Sequence, residues 1–306
     1  MQTDALSLAQ EHNDNSLTER LSFAKIDLQV TNLERALTFW TDILGLTVRN
    51  KDNNKVELGT QTTTLFVLHA GATKTVAAPY TGMYHVAIGL PSQEEFSRIL
   101  ARLLNLKIPV SVVDHLMSKA IYLKDPDGIE IEFAFETPER FGRFGDMSQG
   151  LILYDANGKP HSGRAGLNIP KELDHAIGLE VSSPLGEGTV IAHLHFKVGE
   201  LESAATWFEG LGFARNLMIP NFGFADLGAG AKYTHRIAMN IWSGTNLPPT
   251  PSDMAGLIHY TLFAHSPSIL QSAENMTATQ EGLTGVDPTG IKVSILPVEI
   301  SNVGVH

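Results

Sequence analysis

The chain has 306 residues, of which 43% are apolar, a net charge of -11 at pH 7 and no cysteine. This length allows one large or two ordinary domains with a substantial core, and the negative charge without a basic run argues against binding to nucleic acid or anionic membranes. Because no disulfide or thiolate is available, a metal would be held by carboxylates and by some of the 12 histidines.

The first residues of the chain, 1–20, form a polar leader that lacks the apolar core of a signal peptide. Further along, no apolar run approaches the roughly 20 residues that a membrane-spanning helix needs. We therefore expect a cytoplasmic enzyme or binding protein.

The segment after the leader is predicted to be a strand followed by a helix. Apolar and polar residues alternate in FAKIDLQV from Phe23 onward, which is typical of a half-buried strand. Asn32 is expected to cap a helix that continues to Gly45. The same pattern returns at residues 192–213, where AHLHFKV precedes a second helical segment.

Two shorter copies of this strand and helix follow the same order. The strand GMYHVAI leads into a helix predicted over 93–104, and the strand GLIHYTL leads into one predicted over 266–277. The ends of these two copies also match, with DPDGIEIEF starting at Asp125 and DPTGIKVSI at Asp287. The chain therefore contains a repeated unit.

Four modules are predicted from this repeat, each made of a strand, a helix and about three more strands. Their expected bounds are 21–71, 80–136, 188–244 and 254–298. The connecting segment 137–187 is rich in glycine and charge, and it is expected to carry surface elements or an extra hairpin.

The end of the second module contains a well-defined hairpin turn. Asp, Pro, Asp and Gly in succession from Asp125 are typical of a type I turn that closes a three-residue hairpin loop. Pairing Asp125 with Ile129 across this loop sets Tyr122 directly opposite Glu132. Both side chains then leave the same face of the sheet.

The repeated modules resemble those of the vicinal oxygen chelate superfamily, which unites glyoxalases, bleomycin resistance proteins and dioxygenases. Within it, the chain is similar to the two-domain extradiol ring-cleaving dioxygenases of the catechol 2,3-dioxygenase kind. The sequences that carry the resemblance are NLERALTFWTDILGL, GMYHVAIGLP, DHLMSKAIYLKDPDGIEIE, IAHLHFKV and THRIAMNIWSG. The resemblance implies an α+β fold in which four βαβββ modules pair into two cupped-sheet barrels, with metal ligands on the first and last strands.

Matching positions of the four modules can then be compared. The first-strand positions hold Lys25, His85, His193 and His259, and the last-strand positions hold Val67, Glu132, Asn240 and Ser294. A non-haem Fe(II) oxygenase uses two histidines and one carboxylate on one face of the metal. Only modules two and three together supply this set, as His85, His193 and Glu132. The cup of modules one and four is expected to be catalytically empty.

The resemblance implies roles for other polar residues. His235 would be the acid–base group, since an imidazole titrates near neutral pH, and Tyr122 would hold a substrate oxygen. His115 is a weaker candidate for lining the pocket. His195 lies two residues from His193 and so on the same strand face, and it is expected to pack or to hydrogen-bond behind the ligands.

Two further expectations concern the last strand of module three and the core. His235 and Asn240 are an odd number of residues apart, so both can point inward only if the strand bulges or begins near His235. Trp242 and Phe133 could lie in the core or in the wall of the pocket, and the core is the expected position for both.

The implied function is a cytoplasmic extradiol dioxygenase of aromatic hydrocarbon catabolism. It would bind Fe(II), with Mn(II) as the alternative metal, and a small catechol-like diol, and it would add O2 to give a ring-opened semialdehyde. A homo-oligomer is compatible with the sequence, and the ring substituents stay open.

The superfamily offers three alternative functions. A glyoxalase-like metal-dependent isomerase or lyase is disfavoured because its fourth ligand, normally a second Glu, would stand where this chain has Asn240. A hydroquinone-cleaving dioxygenase would place its metal on modules one and four, against Lys25 and Ser294. A non-catalytic small-molecule-binding member would not need His85, His193 and Glu132 in one register.

Overall fold

The computed structural model describes residues 19–146, 151–231 and 233–298, so residues 1–18 of the predicted leader lie outside the described residues. The strands are β1 (Leu21–Val30), β2 (Thr47–Lys51), β3 (Lys55–Gly59), β4 (Thr64–Ala70), β5 (Gly82–Gly89), β6 (Ser111–Asp114), β7 (Ser118–Lys124), β8 (Glu130–Glu136), β9 (Phe141–Phe144), β10 (Leu153–Asp155), β11 (Pro160–His161), β12 (Ala165–Gly166), β13 (Val190–Lys197), β14 (Ala214–Ile219), β15 (Phe224–Gly228), β16 (Ile237–Asn240), β17 (Gly256–Ala264), β18 (Thr277–Ala278), β19 (Leu283–Val286) and β20 (Lys292–Pro297). The α-helices are α1 (Leu33–Thr38), α2 (Gln93–Asn105), α3 (Ile169–Asp174), α4 (Leu201–Gly210) and α5 (Pro267–Ser272), with a π-helix over Phe39–Ile43 and 3-10 turns over Pro138–Arg140 and Pro220–Phe222.

Two large curved sheets organise these elements. The first has eight strands in the order β18-β19-β20-β17-β1-β4-β3-β2, and the second has nine in the order β12-β6-β7-β8-β5-β13-β16-β15-β14. The antiparallel pairs β1–β17 and β5–β13 lie inside their sheets, and each of these four strands has a parallel neighbour from its own repeat. The α+β fold and the pairing of four repeats into two cups are confirmed, although the sheets are open rather than closed barrels.

The predicted hairpin of the second repeat is confirmed. The backbone N–H of Asp125 donates to the carbonyl of Ile129 at 2.9 Å. Gly128 has a φ of 86°, a left-handed conformation that glycine adopts without strain. The pairing of β7 with β8 places Tyr122 opposite Glu132.

The helices differ from the predictions mainly at their C-terminal ends. Asn32 caps α1, as its side chain accepts from the N–H of Arg35 at 2.9 Å, and α2 lies where it was predicted. The helix predicted over 266–277 was too long. It ends at Ser272 because Ala273 is extended and Asn275 has a φ of 59°, which breaks the helix.

Most of the core is one large apolar cluster that includes side chains of both sheets and of α1, α2 and α4. Its largest fully buried members include Trp40, Phe133, Phe196 and Tyr260, so the core position predicted for Phe133 is confirmed. In the described part of the chain, no helix has the length and apolar character of a membrane span.

The connecting segment between the second and third repeats contains its own strands, β9 to β12. It forms a three-stranded sheet in the order β11-β10-β9, and it adds β12 to the edge of the nine-stranded sheet beside β6. Phe144 and Leu153 of this segment form a small buried cluster with Leu116, Leu217 and Ile219. The segment is therefore packed against the nine-stranded sheet.

A buried carboxylate ties the second repeat to the first. Asp127, in the hairpin loop after β7, accepts hydrogen bonds from the backbone N–H of Thr31 at 2.8 Å and from its hydroxyl at 2.5 Å. Arg35 of α1 also donates to this carboxylate. Asp127 is 2% exposed, whereas the side chain of Arg35 is 48% exposed.

We expect Asp127→Ala to lower the free energy of unfolding by about 2–3 kcal/mol, because it removes a buried acceptor and leaves two half-buried donors of Thr31 without this partner. The matched variant Arg35→Ala should cost less than about 1 kcal/mol, since its charge is half in water. Urea unfolding followed by tryptophan fluorescence measures both. Equal losses in the two variants would contradict this account of the loop.

Candidate metal centre

Three adjacent strands of the nine-stranded sheet bring together the predicted ligand residues. His85 lies on β5, His193 on β13 and Glu132 on β8. The Oε2 atom of Glu132 lies 3.0 Å from Nε2 of His85 and 3.1 Å from Nε2 of His193, and the two Nε2 atoms are 3.2 Å apart. All three residues are buried. Among the described residues, this is the one group of at least three histidines or carboxylates close enough to share a metal ion.

The spacing of the three atoms fits a transition metal. Ligand atoms about 2.1 Å from a metal, with angles near 90° between the bonds, lie about 3 Å from one another. The three measured separations agree with this value. Two imidazoles and one carboxylate on a single face also match the donor set of non-haem Fe(II) oxygenases.

The protonation of this group favours metal binding. Burial lowers the pKa of His193 to about 3, so its imidazole is neutral near pH 7 and has a lone pair to offer. Burial alone would raise the pKa of Glu132, but hydrogen bonds and charge from His193 and His85 hold it well below its usual range. The site therefore presents a carboxylate together with a neutral imidazole.

The ligand rings are oriented mainly by packing. The Nδ1 atoms of His85 and His193 are buried, and neither has a hydrogen-bond partner among the described residues. Instead, the ring of His85 lies 4.8 Å from that of His195 and 5.6 Å from that of Tyr122, measured between centroids. The ring of His193 lies 4.7 Å from that of His235.

His195 lies opposite His85 on the neighbouring strand. The side-chain oxygen of Asn240 accepts from the N–H of Trp242 at 3.1 Å, so the amide nitrogen of Asn240 donates to Nε2 of His195 at 2.9 Å. This Nε2 is thus an occupied acceptor. The packing and hydrogen-bonding role expected for His195 agrees with these contacts.

The strand register corrects the position assigned to Asn240. In the second repeat, Glu132 of the last strand lies opposite Ala87 of the first strand. The residue of the third repeat that corresponds to Ala87 is His195, and it lies opposite Ala238 of the last strand. Asn240 lies opposite Lys197, two residues further along. The position that a fourth ligand would take is therefore held by alanine, which has no ligand atom.

His235 lies just before β16, so the predicted strand start near this residue is confirmed. Its Nδ1 lies 2.7 Å from Oδ2 of Asp226 on β15, and its ring stacks with Phe224 at 11° between planes. Because the carboxylate accepts from Nδ1–H, Nε2 is left to exchange a proton. Asp226 is a site residue that the sequence did not reveal, since no local spacing links it to His235.

His115 and Tyr122 form a hydrogen-bonded pair. Nδ1 of His115 donates to the carbonyl of Gly163 at 2.7 Å, so its Nε2 accepts from the hydroxyl of Tyr122 at 3.0 Å. Burial lowers the pKa of His115, and burial together with Glu132 raises the pKa of Tyr122 well above its usual value. Both side chains are therefore neutral near pH 7.

The group of His85, His193 and Glu132 lies at a cavity of about 540 Å³. His115, Tyr122 and His235 all line it, and the connecting segment completes its wall with Phe144, Leu151 and Leu153. The predicted core position of Trp242 was wrong. Its side chain is 56% exposed and lines this cavity, because Trp242 follows the end of β16, where its ring contacts those of Tyr84, His195 and Phe224.

The eight-stranded sheet holds a different polar cluster in its cup. Asp27 lies 2.8 Å from Nε2 of His69 and 3.3 Å from Nδ1 of His259, and Nε2 of His259 lies 2.9 Å from the hydroxyl of Ser294. These four side chains are therefore hydrogen-bonded to one another. His69 and Asp27 were not singled out from the sequence.

Comparisons with known proteins agree with the fold. The model of the glyoxalase/bleomycin resistance protein/dioxygenase superfamily matches residues 22–133. A catechol-2,3-dioxygenase of Bacillus subtilis (strain 168) is 32% identical over 248 residues, which are 79% of this chain and 81% of the relative. Glyoxalase I from Zea mays has the same fold, with a TM-score of 0.53 at 13% identity over 94% of this chain and 95% of that chain.

The chain therefore belongs to the glyoxalase/bleomycin resistance protein/dioxygenase superfamily, as its sequence predicted. The buried group of His85, His193 and Glu132 lies in one of its two cups and could bind a metal.

The first prediction for the site concerns metal content. His85→Ala, His193→Ala and Glu132→Ala should each lose most of the bound metal, because each removes one of three ligands. Metal analysis of anaerobically purified protein measures this, with circular dichroism to show that the fold is kept. His195→Ala is the control and should keep at least part of its metal. Full metal content in any of the three ligand variants would place the site elsewhere.

A second prediction separates the two cups. His259→Ala should leave metal content within error of the parent, since its ring hydrogen-bonds to Asp27 and Ser294 and lies in the other sheet. Lys25→Ala should do the same. Metal lost from His259→Ala but retained in His193→Ala would reverse the assignment of the cups.

Proposed function

We propose that this protein is an extradiol ring-cleaving dioxygenase that binds Fe(II) through His85, His193 and Glu132. The observation that carries the proposal is the facial set of two imidazoles and one carboxylate at a largely apolar cavity with room for an aromatic ring. The relative in Bacillus subtilis, named a catechol-2,3-dioxygenase, supports the same reaction class. Mn(II) is the alternative metal, since it accepts the same donors.

The proposed reaction adds both atoms of O2 to a catechol-like diol and breaks the ring carbon–carbon bond beside the diol. The product is a ring-opened semialdehyde that contains all atoms of both reactants. When bound, Fe(II) supplies positions for the two diol oxygens and for O2 and a route for electrons between them. We place the enzyme in the cytoplasm, in the breakdown of aromatic compounds.

His235 is proposed as the group that moves the proton. Its Nε2 would accept a proton from a diol hydroxyl, while Asp226 holds Nδ1–H and stabilises the resulting imidazolium. The same Nε2 can return the proton to oxygen later in the reaction. Stacking on Phe224 fixes the ring plane in which this transfer takes place.

Tyr122 is proposed to donate a hydrogen bond to a substrate oxygen. Its raised pKa keeps the hydroxyl protonated, and in the structure this hydroxyl donates to Nε2 of His115. Donating to substrate requires the Tyr122 hydroxyl to turn away from Nε2 of His115, whose own position is set by Gly163. The apolar wall around these groups limits access of water to the reacting atoms.

A glyoxalase-type isomerase is a weaker candidate. The fourth carboxylate expected for that chemistry has no counterpart, because the matching strand position is Ala238. A binding protein without catalytic activity would not account for a proton-transfer group, His235 with Asp226, placed beside the ligand histidines.

His235→Gln should keep its iron and still bind catechol, yet slow turnover by roughly 10²–10⁴, the usual contribution of a positioned acid–base group. Tyr122→Phe removes only a hydrogen bond and should lose less. The measurement is the single-turnover reaction of the anaerobic enzyme–catechol complex with O2, followed across pH. If His235→Gln reacts as fast as the parent at every pH, the proton is carried by another group.

A further inference from the structure

The cavity contains one feature that the proposed reaction does not use, the side chain of Arg164. This residue precedes β12, is exposed, and lines the cavity together with the ligand histidines. Its backbone is held on both sides, because the carbonyl of Gly163 accepts from His115 and Ala165 pairs with Asp114. The guanidinium therefore extends from a fixed point on the wall that carries His115.

The guanidinium of Arg164 has no hydrogen-bond or ion-pair partner among the residues that the structure describes. Most other arginines there are partnered by protein groups. Ion pairs join Arg35, Arg98, Arg140, Arg215 and Arg236 to carboxylates, Arg102 donates to backbone carbonyls, and Arg143 lies over the ring of Tyr154. A cation left unpaired in a concave, mostly apolar site is available to a ligand.

The other charged groups of the cavity lining already have partners. Glu132 contacts the ligand histidines, Asp226 contacts His235, and Glu130 lies 3.6 Å from Lys124. Arg164 is thus the cation of the lining that is free to receive an anion. Burial is the main cause of the lowered pKa of His115 and of the raised pKa of Tyr84, and the charge of Arg164 acts to lower both.

The cavity is also larger than a catechol ring needs. At about 540 Å³ it can hold a ring with a side chain, and the aromatic residues Tyr84, Phe224 and Trp242 form part of its wall. A neutral or aryl side chain could pack on these rings. Such packing would give no role to the unpaired guanidinium of Arg164.

We propose that Arg164 binds a carboxylate on the side chain of the substrate, so that the preferred substrates are catechols that carry a short anionic substituent. This inference rests on the proposed function for the diol end of the substrate. A guanidinium and a carboxylate form two parallel hydrogen bonds, which fixes the orientation of the ring as well as adding affinity. Because Arg164 is exposed, we expect an effect of about tenfold rather than the larger effect of a fully buried pair.

The experiment compares 3,4-dihydroxyphenylacetate, its neutral methyl ester and unsubstituted catechol, in the parent protein and in Arg164→Gln. We expect the parent to have about tenfold higher kcat/KM for the acid than for the ester, mainly through KM. Arg164→Gln should remove this preference and leave kcat/KM for catechol within about threefold. Arg143→Gln is the matched control, since that cation lies on the same segment but outside the cavity lining, and it should keep the preference.

Anaerobic binding of the same three compounds, followed by tryptophan fluorescence, separates this inference from the proposed function. If catechol is not cleaved but the parent binds the acid tighter than the ester and Arg164→Gln does not, the proposed function fails and the anion site stands. The anion site is overturned if catechol is cleaved but the parent has equal kcat/KM for the acid and the ester. It is also overturned if Arg164→Gln lowers kcat/KM for both compounds by the same factor. A higher kcat/KM of the parent for the ester would also overturn it, and would indicate that the substituent of the substrate packs on the aromatic wall.

Discussion

The antiparallel pairing of β5 with β13 is the constraint on which the site depends. Its register sets His85 opposite His195 and His193 opposite Ala87, so the two ligand nitrogens come within 3.2 Å of each other from neighbouring strands. A slip of one residue in either strand would turn the histidine of that strand to the other face of the sheet. The parallel neighbour β8 then adds Glu132 at the same level. The donor set is thus a consequence of sheet geometry.

Burial gives this geometry its chemical character. Removing three polar side chains from water is costly unless they are paired or bind a metal. The same burial keeps His193 neutral and Tyr122 protonated, which are the states that metal binding and hydrogen-bond donation require. The pairing of β1 with β17 repeats the backbone arrangement in the other sheet. There Asp27 is hydrogen-bonded to His69 and His259, so the two cups have the same architecture and different contents.

Much of this could be predicted from the sequence, because the repeat and the hairpin turn are local signals. The turn at Asp125 predicted that Tyr122 lies opposite Glu132. Alignment of the repeats placed His85 and His193 at equivalent positions of two strands, which pair in the structure. Position 240 was misassigned because the last strand of the third repeat is shifted by two residues, which alignment of strand ends does not reveal.

Residues that act through tertiary contacts could not be predicted. Asp226 reaches His235 from a neighbouring strand, and Gly163 and Arg164 reach the cavity from a segment that has no counterpart in the repeats. Trp242 follows the pattern of a core residue, yet it lies at the cavity because β16 ends two residues earlier. The length of a strand and the path of a connecting segment decided these cases.

We propose that a metal held by His85, His193 and Glu132 would direct both atoms of O2 into a diol ring. The most direct test is to supply iron-loaded protein with catechol and isotopically labelled O2 and to analyse the product by mass spectrometry. We expect a ring-opened semialdehyde that carries both labelled oxygen atoms, formed only when iron is present. A product with one labelled atom, a dicarboxylic acid from cleavage between the two hydroxyls, or equal turnover without metal would contradict it.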